Sequence, residues 1–279
     1  MSTQINLVKN RIKTVSGALK ITNAMKLVST IRLQKYKKSM LANREYNFEL
    51  DEVIQSILSG LKEKDRDILE VKTESTKKLF IIVSSTLGLC GSYNYNIFAL
   101  ADSKISENDD AIILGKKGFT YYKNSKFQDI EGFGEYNSIS DEYIVKQLVQ
   151  FVLKAYQNGE YKEIHIIHTT FKNTIVFLAK DTLILPISTK YNENGYGPIL
   201  EPNGKELAKS ILPMYVSSTI YSKLLESEVC EQAARSNAMT AASDNALEIL
   251  DNLKIEFNKA RQASITEQII EVVSGAQRV

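Results

Sequence analysis

Apolar residues near the N-terminus recur at Ile5, Val8, Ile12, Val15 and Leu19, a three-four spacing that puts them on one stripe of a helix and suits coiled-coil packing. Towards the other end, Ala246, Leu250, Leu253, Phe257 and Ala260 repeat the same spacing. Neither glycine nor proline interrupts Ala18 to Ser59 or Met214 to Ser274, so the pattern predicts two very long helices. At about 1.5 Å rise per residue they would reach roughly 60 Å and 90 Å. Rods of that length cannot be buried within one small globular core, and the matching seams favour an antiparallel two-stranded coil. Past Ala260 the second rod turns apolar again at Ile265, Ile269, Ile270, Val272 and Val273, a tip suited to an apolar partner surface. Between them, EQAARSNAMTAASDNA (231 to 246) is rich in small residues, which raises helix propensity and lets another element approach closely.

The middle of the chain follows another rule. Nine of the thirteen glycines fall between Gly88 and Gly197, and short β-like runs replace the long periodicity. Strands are predicted at Leu79 to Ser84, Ala111 to Leu114, Glu163 to His168 and Ile175 to Leu185, with helices from Asn94 and over Ile144 to Tyr156. Strands alternating with helices imply a mostly parallel sheet with crossovers. The fold class is therefore α/β plus a long antiparallel α-helical coiled coil, the terminal helices flanking an inserted Rossmann-like domain. The expected boundaries are 1–60 for the first helix, 61–204 for the α/β domain and 205–279 for the second helix.

Charge sharpens this picture. The net charge of +2 hides ten basic residues and no acid between Met1 and Arg44. A basic helix of this kind suits nucleic acid, an anionic surface or the acidic side chains of a protein partner. The positives here are interleaved with the apolar seam, which disfavours a nucleic-acid binder. No apolar run approaches the roughly eighteen residues of a membrane span, so direct membrane insertion is not expected. The N-terminus shows helix periodicity in place of a signal peptide's apolar core.

Candidate chemistry is sparse. GLCGSYN at Gly88 is a glycine-flanked turn ahead of a helix, but it matches neither GxxxxGK[ST] nor GxGxxG, so its glycines are read as serving the backbone. His165 and His168, three apart in a strand, point to opposite faces and cannot share a metal there. Cys90 and Cys230 lack CxxC spacing and read as buried small hydrophobes. No pair of carboxylates stands at a spacing that identifies an acid and a base. We expect no catalytic site, cofactor or metal in this chain.

KARQASITEQIIEVVSGA (259 to 276), AARSNAM (233 to 239) and KITNAMKLV (20 to 28), with the GLCG turn between them, resemble the signature segments of the gamma subunit of F-type ATP synthases. The resemblance spans essentially the whole chain. It implies a noncatalytic central rotor shaft inside three alpha and three beta subunits, with ATP/ADP and Mg held on those partners. The α/β domain would project as a foot beside epsilon and the membrane c-ring, on the cytoplasmic face of a bacterial cell membrane. It implies beta-subunit contacts at Met25, Arg235, Arg261, Gln262 and Thr266, with ordinary solvated helix surface as the alternative reading of each; Arg235 and Gln262 are expected to be exposed. The family usually carries Met where this chain has Ser236, Asp and Arg where it has Thr86 and Leu87, and an acid at Gln268. These departures are compatible with a related shaft turned to another mechanical task, such as a motility motor, without proton coupling.

Overall fold

The structure, a computed structural model, describes residues 2–60, 73–124, 127–130, 133, 140–187 and 204–276. Along the chain run α1 (Ser2–Gly60), β1 (Lys78–Val83), α2 (Tyr93–Lys104), β2 (Asp110–Leu114), α3 (Lys116–Tyr121), β3 (Gln128–Asp129), α4 (Glu142–Gln157), β4 (Glu163–Phe171), β5 (Phe177–Leu185) and α5 (Gly204–Ala276). The five strands form one sheet in the order β3-β2-β1-β4-β5, parallel except for β5, which returns antiparallel to β4. The predicted strands are all present; the last begins at Phe177, two residues later than expected.

Both terminal helices outrun the interval free of glycine and proline. α1 continues back through Gly17, where an added Cβ would meet no atom within 4 Å. α5 begins at Gly204 and passes through Pro213. Proline removes one backbone hydrogen bond from a helix interior. Here Leu212, Val216, Ile220 and Leu224 bury one stripe across that gap and hold the helix together by packing.

β1 and β2 are apolar on both faces, as central parallel strands covered by helices require. Leu79, Ile81, Val83, Ile112 and Leu114 face one core with Leu148 and Val152 of α4 and the α5 stripe just named. Phe80, Ile82, Ala111 and Ile113 face the other, with Tyr93, Ile97 and Ala101 of α2 and with Cys230 and Ala234 of α5. α4 is a strongly amphipathic helix whose N-cap Asp141 accepts a hydrogen bond from the Tyr143 amide.

The chain forms two compact units. One comprises α1 up to Thr30 and α5 from Arg235, and is purely helical; the other runs from Ile31 to Ala234 and contains the sheet.

Candidate functional site

In the helical unit, the buried and half-buried positions of α1 continue from Ile5, Val8, Ile12, Val15 and Leu19 to Thr22, Lys26 and Ser29 without a break in the three-four rhythm. On α5 the matching set is Met239, Ser243, Ala246, Leu250, Leu253, Phe257, Ala260 and Ser264. Two hydroxyl rungs fix how they meet. Ser243 Oγ donates to Thr22 Oγ1 at 2.8 Å, and Ser236 Oγ lies 3.2 Å from Thr30 Oγ1. As the α1 partner advances by eight residues the α5 partner retreats by seven, so the helices are antiparallel. Extending that register brings Leu19 level with Ala246, Val15 with Leu250 and Ile12 with Leu253. Polar rungs in an otherwise apolar seam specify register, because a slip would strand hydroxyls against hydrocarbon.

Beyond Ala263, which lies level with Ser2 in this register, α5 continues past the described residues of α1. Ile265, Ile269, Ile270, Val272 and Val273 are all exposed there, so the apolar tip expected from the sequence is uncovered in this chain. Thr266 Oγ1 donates to the Gln262 backbone carbonyl at 3.0 Å, an internal helix bond that does not involve the side chain of the exposed Gln262.

The predicted contact residues fall into two groups. Arg235 adjoins the Thr30–Ser236 rung, and Met25 is half-buried a little over one turn away along α1. Arg261, Gln262 and Thr266 are exposed, roughly 40 Å further along α5 at 1.5 Å per residue. One expectation needs correction: Arg235 is only 4% exposed. It ends a stretch starting at Leu224 in which every residue of α5 is buried, so its stem is part of the packing. Helical periodicity alone could not reveal a segment enclosed on all faces.

In the sheet unit, the GLCGSYN turn is built around Asn94. Its Oδ1 accepts the Ser85 amide at 3.0 Å, and its Nδ2 donates to Ser85 Oγ at 2.7 Å and Cys90 Sγ at 3.4 Å. Gly91 at φ 58° and Leu89 at φ 61° both take left-handed backbone, which glycine adopts freely and leucine does not. Gly91 thus serves backbone geometry, and the turn displays Leu87 and Leu89 to solvent. Cys90 and Cys230 are both buried. Burial pushes the Cys230 thiol far above its ordinary pKa.

The two histidines occupy opposite faces of β4, and their environments diverge. His168 is fully buried; desolvation, with Lys223 nearby, lowers its pKa to about 3, and its Nε2 lies 3.0 Å from Thr182 Oγ1. His165 stacks on Phe80 and lies between two carboxyls, Nδ1 2.9 Å from Asp181 and Nε2 3.2 Å from Glu163. Burial opposes its protonation, but hydrogen bonds to Asp181 and Glu163 win and raise its pKa. Lys78 reaches Glu163 at 2.6 Å and completes a four-residue ionic cluster. The sequence reading missed it; the signal was Glu163 two residues from His165, hence on the same face. Among the described residues no group of three or more His, Cys, Asp or Glu side chains is placed to hold a metal ion, and at His165 both ring nitrogens are already engaged by Asp181 and Glu163. Among them, too, no helix is long and apolar enough to cross a membrane.

Comparison with known proteins places these features. A family profile described as ATP synthase matches residues 4–279. The ATP synthase gamma chain of Ureaplasma urealyticum is 34% identical over 98% of this chain and 99% of its own length. That of Clostridium botulinum is 35% identical, covering 97% and 96%. In fold, the chain is similar to one in the Euglena gracilis mitochondrial ATP synthase OSCP/F1/c-ring structure, with TM-score 0.71, 15% identity, and 99% and 95% of the two chains covered.

Proposed function

The chain belongs to the ATP synthase gamma-chain family, and from that premise we propose that it carries torque between nucleotide sites on partner subunits and a membrane rotor. As a gamma subunit of an F-type ATP synthase it forms the central stalk. ATP and Mg bind on beta, and the closing and opening of three beta subunits, alternating with three alpha, push the shaft around. The chain makes and breaks no bond itself. The sheet unit serves as the foot, meeting epsilon and the c-ring at the cytoplasmic face of the membrane.

The observation that carries this reading is the antiparallel seam with its hydroxyl rungs. Two paired helices resist twisting far better than one, and a fixed register keeps the exposed Arg261 and Gln262, with Thr266 about one turn beyond them, at a defined angle to whatever surrounds them. Those residues, with the half-buried Met25, are the contacts we assign to beta; Arg235, whose stem is packed, reaches beta only through the small part of it that stays exposed. The basic α1 complements acidic loops there, an attraction that changes with orientation and so couples angle to nucleotide state. Neither a nucleic-acid role nor a diverted motor draws support from the relatives, which are ATP synthase gamma chains.

Reconstitution tests the proposal. The purified chain hydrolyses no ATP, but restores cooperative multi-site turnover and rotation when added to its alpha and beta partners. ATP turnover by the contaminant-free chain, or a ring whose turnover ignores its addition, would overturn the reading.

A further inference from the structure

β4 overruns its parallel neighbour. β1 pairs with Glu163 to Ile167, yet β4 continues to Phe171, while on its other side the ladder with β5 persists to Phe177. An overhanging strand edge leaves backbone groups in need of partners. Here α5 supplies them from its side chains. The Thr169 amide donates to Ser227 Oγ at 3.2 Å, the Phe171 amide donates to Glu226 Oε1 at 3.0 Å, and Cys230 Sγ donates to the Thr169 carbonyl at 3.5 Å. Thr169 and Phe171 are two apart and so offer their amides on the same side of the strand. Glu228 adds a tether in another direction, accepting from Ser140 Oγ at 2.5 Å just before the α4 N-cap.

Apolar burial is non-directional, so packing alone would let a smooth helix roll against a sheet. Hydrogen bonds are directional, and rolling α5 would orphan several buried polar groups at once. We propose that Glu226, Ser227 and Cys230, backed by Glu228, form a torsional key that locks α5 to the sheet, so that twist arriving along the helix turns the foot and does not slip. These are positioning residues, and the proposal rests on the torque-carrying role given above.

The test uses the complex of the full chain with its alpha and beta partners. The ring is fixed to a surface and a bead attached through Lys123→Cys, an exposed site in a chain whose own cysteines are buried. In the Glu226→Ala/Ser227→Ala variant, hydrogen exchange at the Thr169 and Phe171 amides accelerates about tenfold. The bead's angular fluctuation in paused states broadens, while ATP turnover without a bead stays parental. Restoring an acceptor with Glu226→Gln returns the Phe171 amide to parental exchange. If the double variant fails to assemble, Ser227→Ala alone removes only the Thr169 tether, and the Phe171 amide serves as the internal reference. Parental exchange and fluctuation in these variants overturn the key. A parent complex that assembles but does not rotate overturns the shaft reading, a separate result.

Discussion

Leu250→Ala probes the seam on which the shaft depends. Leu250 is 7% exposed and level with Val15. Losing the three carbons of its branched end forfeits at most about 0.8 kcal/mol each in apolar burial, and any cavity that persists adds to that. A two-helix seam is open at its sides and partly collapses, which puts the cost near the low end of leucine truncations, about 2 kcal/mol. Alanine is the best helix former, so none of this arises from local propensity. The cost should remain within the helical unit, because the sheet unit has its own cores. In the purified chain, exchange should therefore accelerate about thirtyfold for amides from Val8 to Leu19 and from Ala246 to Phe257, since 1.36 kcal/mol is a factor of ten. Amides of Ile81 and Ile166, at the centre of the sheet, should keep their parental rates. Ile249→Ala is the control: its side chain is 48% exposed, and the change should stay within about 0.5 kcal/mol. Equal effects from the two variants, or acceleration spread evenly over seam and sheet, would show that the seam is not what holds the helices together.

Three further outcomes are expected. Arg235→Ala should lower the urea midpoint of the chain, costing about 2 kcal/mol or more through lost packing of a buried stem, whereas the exposed Gln262→Ala should leave the midpoint unchanged and reduce only the turnover of the assembled complex; matching midpoints would contradict the burial of Arg235. Gly91→Ala forces a side chain into left-handed backbone and should cost about 1 kcal/mol in chemical denaturation without creating or removing any nucleotide binding. The histidines should give opposite pH signatures. His165, raised above 6.5 when folded, contributes stability that is full below 6.5 and is lost as pH climbs through its folded value. His168, lowered to about 3, contributes stability that is present above 6.5 and is lost as pH falls towards 3. His165→Gln should thus abolish the alkaline-side decline and His168→Gln shallow the acid-side one, in urea melts across pH 4 to 9.

What the sequence disclosed and what it hid follow from one physical distinction. Periodicity reports which residues leave water, and the stripe from Ile5 to Leu19 and the run Leu79 to Val83 were legible in that way; the apolar tip from Ile265 to Val273 was legible as a pattern, yet it stays exposed. It says little about polar residues that leave water in pairs. Thr22, Ser29, Thr30, Ser236 and Ser243 sit on or beside the same seam, yet on a hydropathy scale they interrupt it; only the spacing of Thr22 to Ser29 and of Ser236 to Ser243, still in step with the three-four rhythm, betrayed them. Ser236 makes the case best, since its departure from the family's usual methionine becomes a hydroxyl rung to Thr30. Nearer the start of α5, Glu226, Glu228 and Glu231 carry no apolar signal, yet all three are buried where the helix is enclosed on every face. Two of them are bound to backbone or side chains more than fifty residues away, Phe171 for Glu226 and Ser140 for Glu228. Such partners are set by topology, because β4 overruns β1 only once the sheet has assembled. A rotor makes that hidden layer functional: apolar stripes hold its helices together, while the directional polar contacts fix their angle, and angle is the variable that a shaft must conserve.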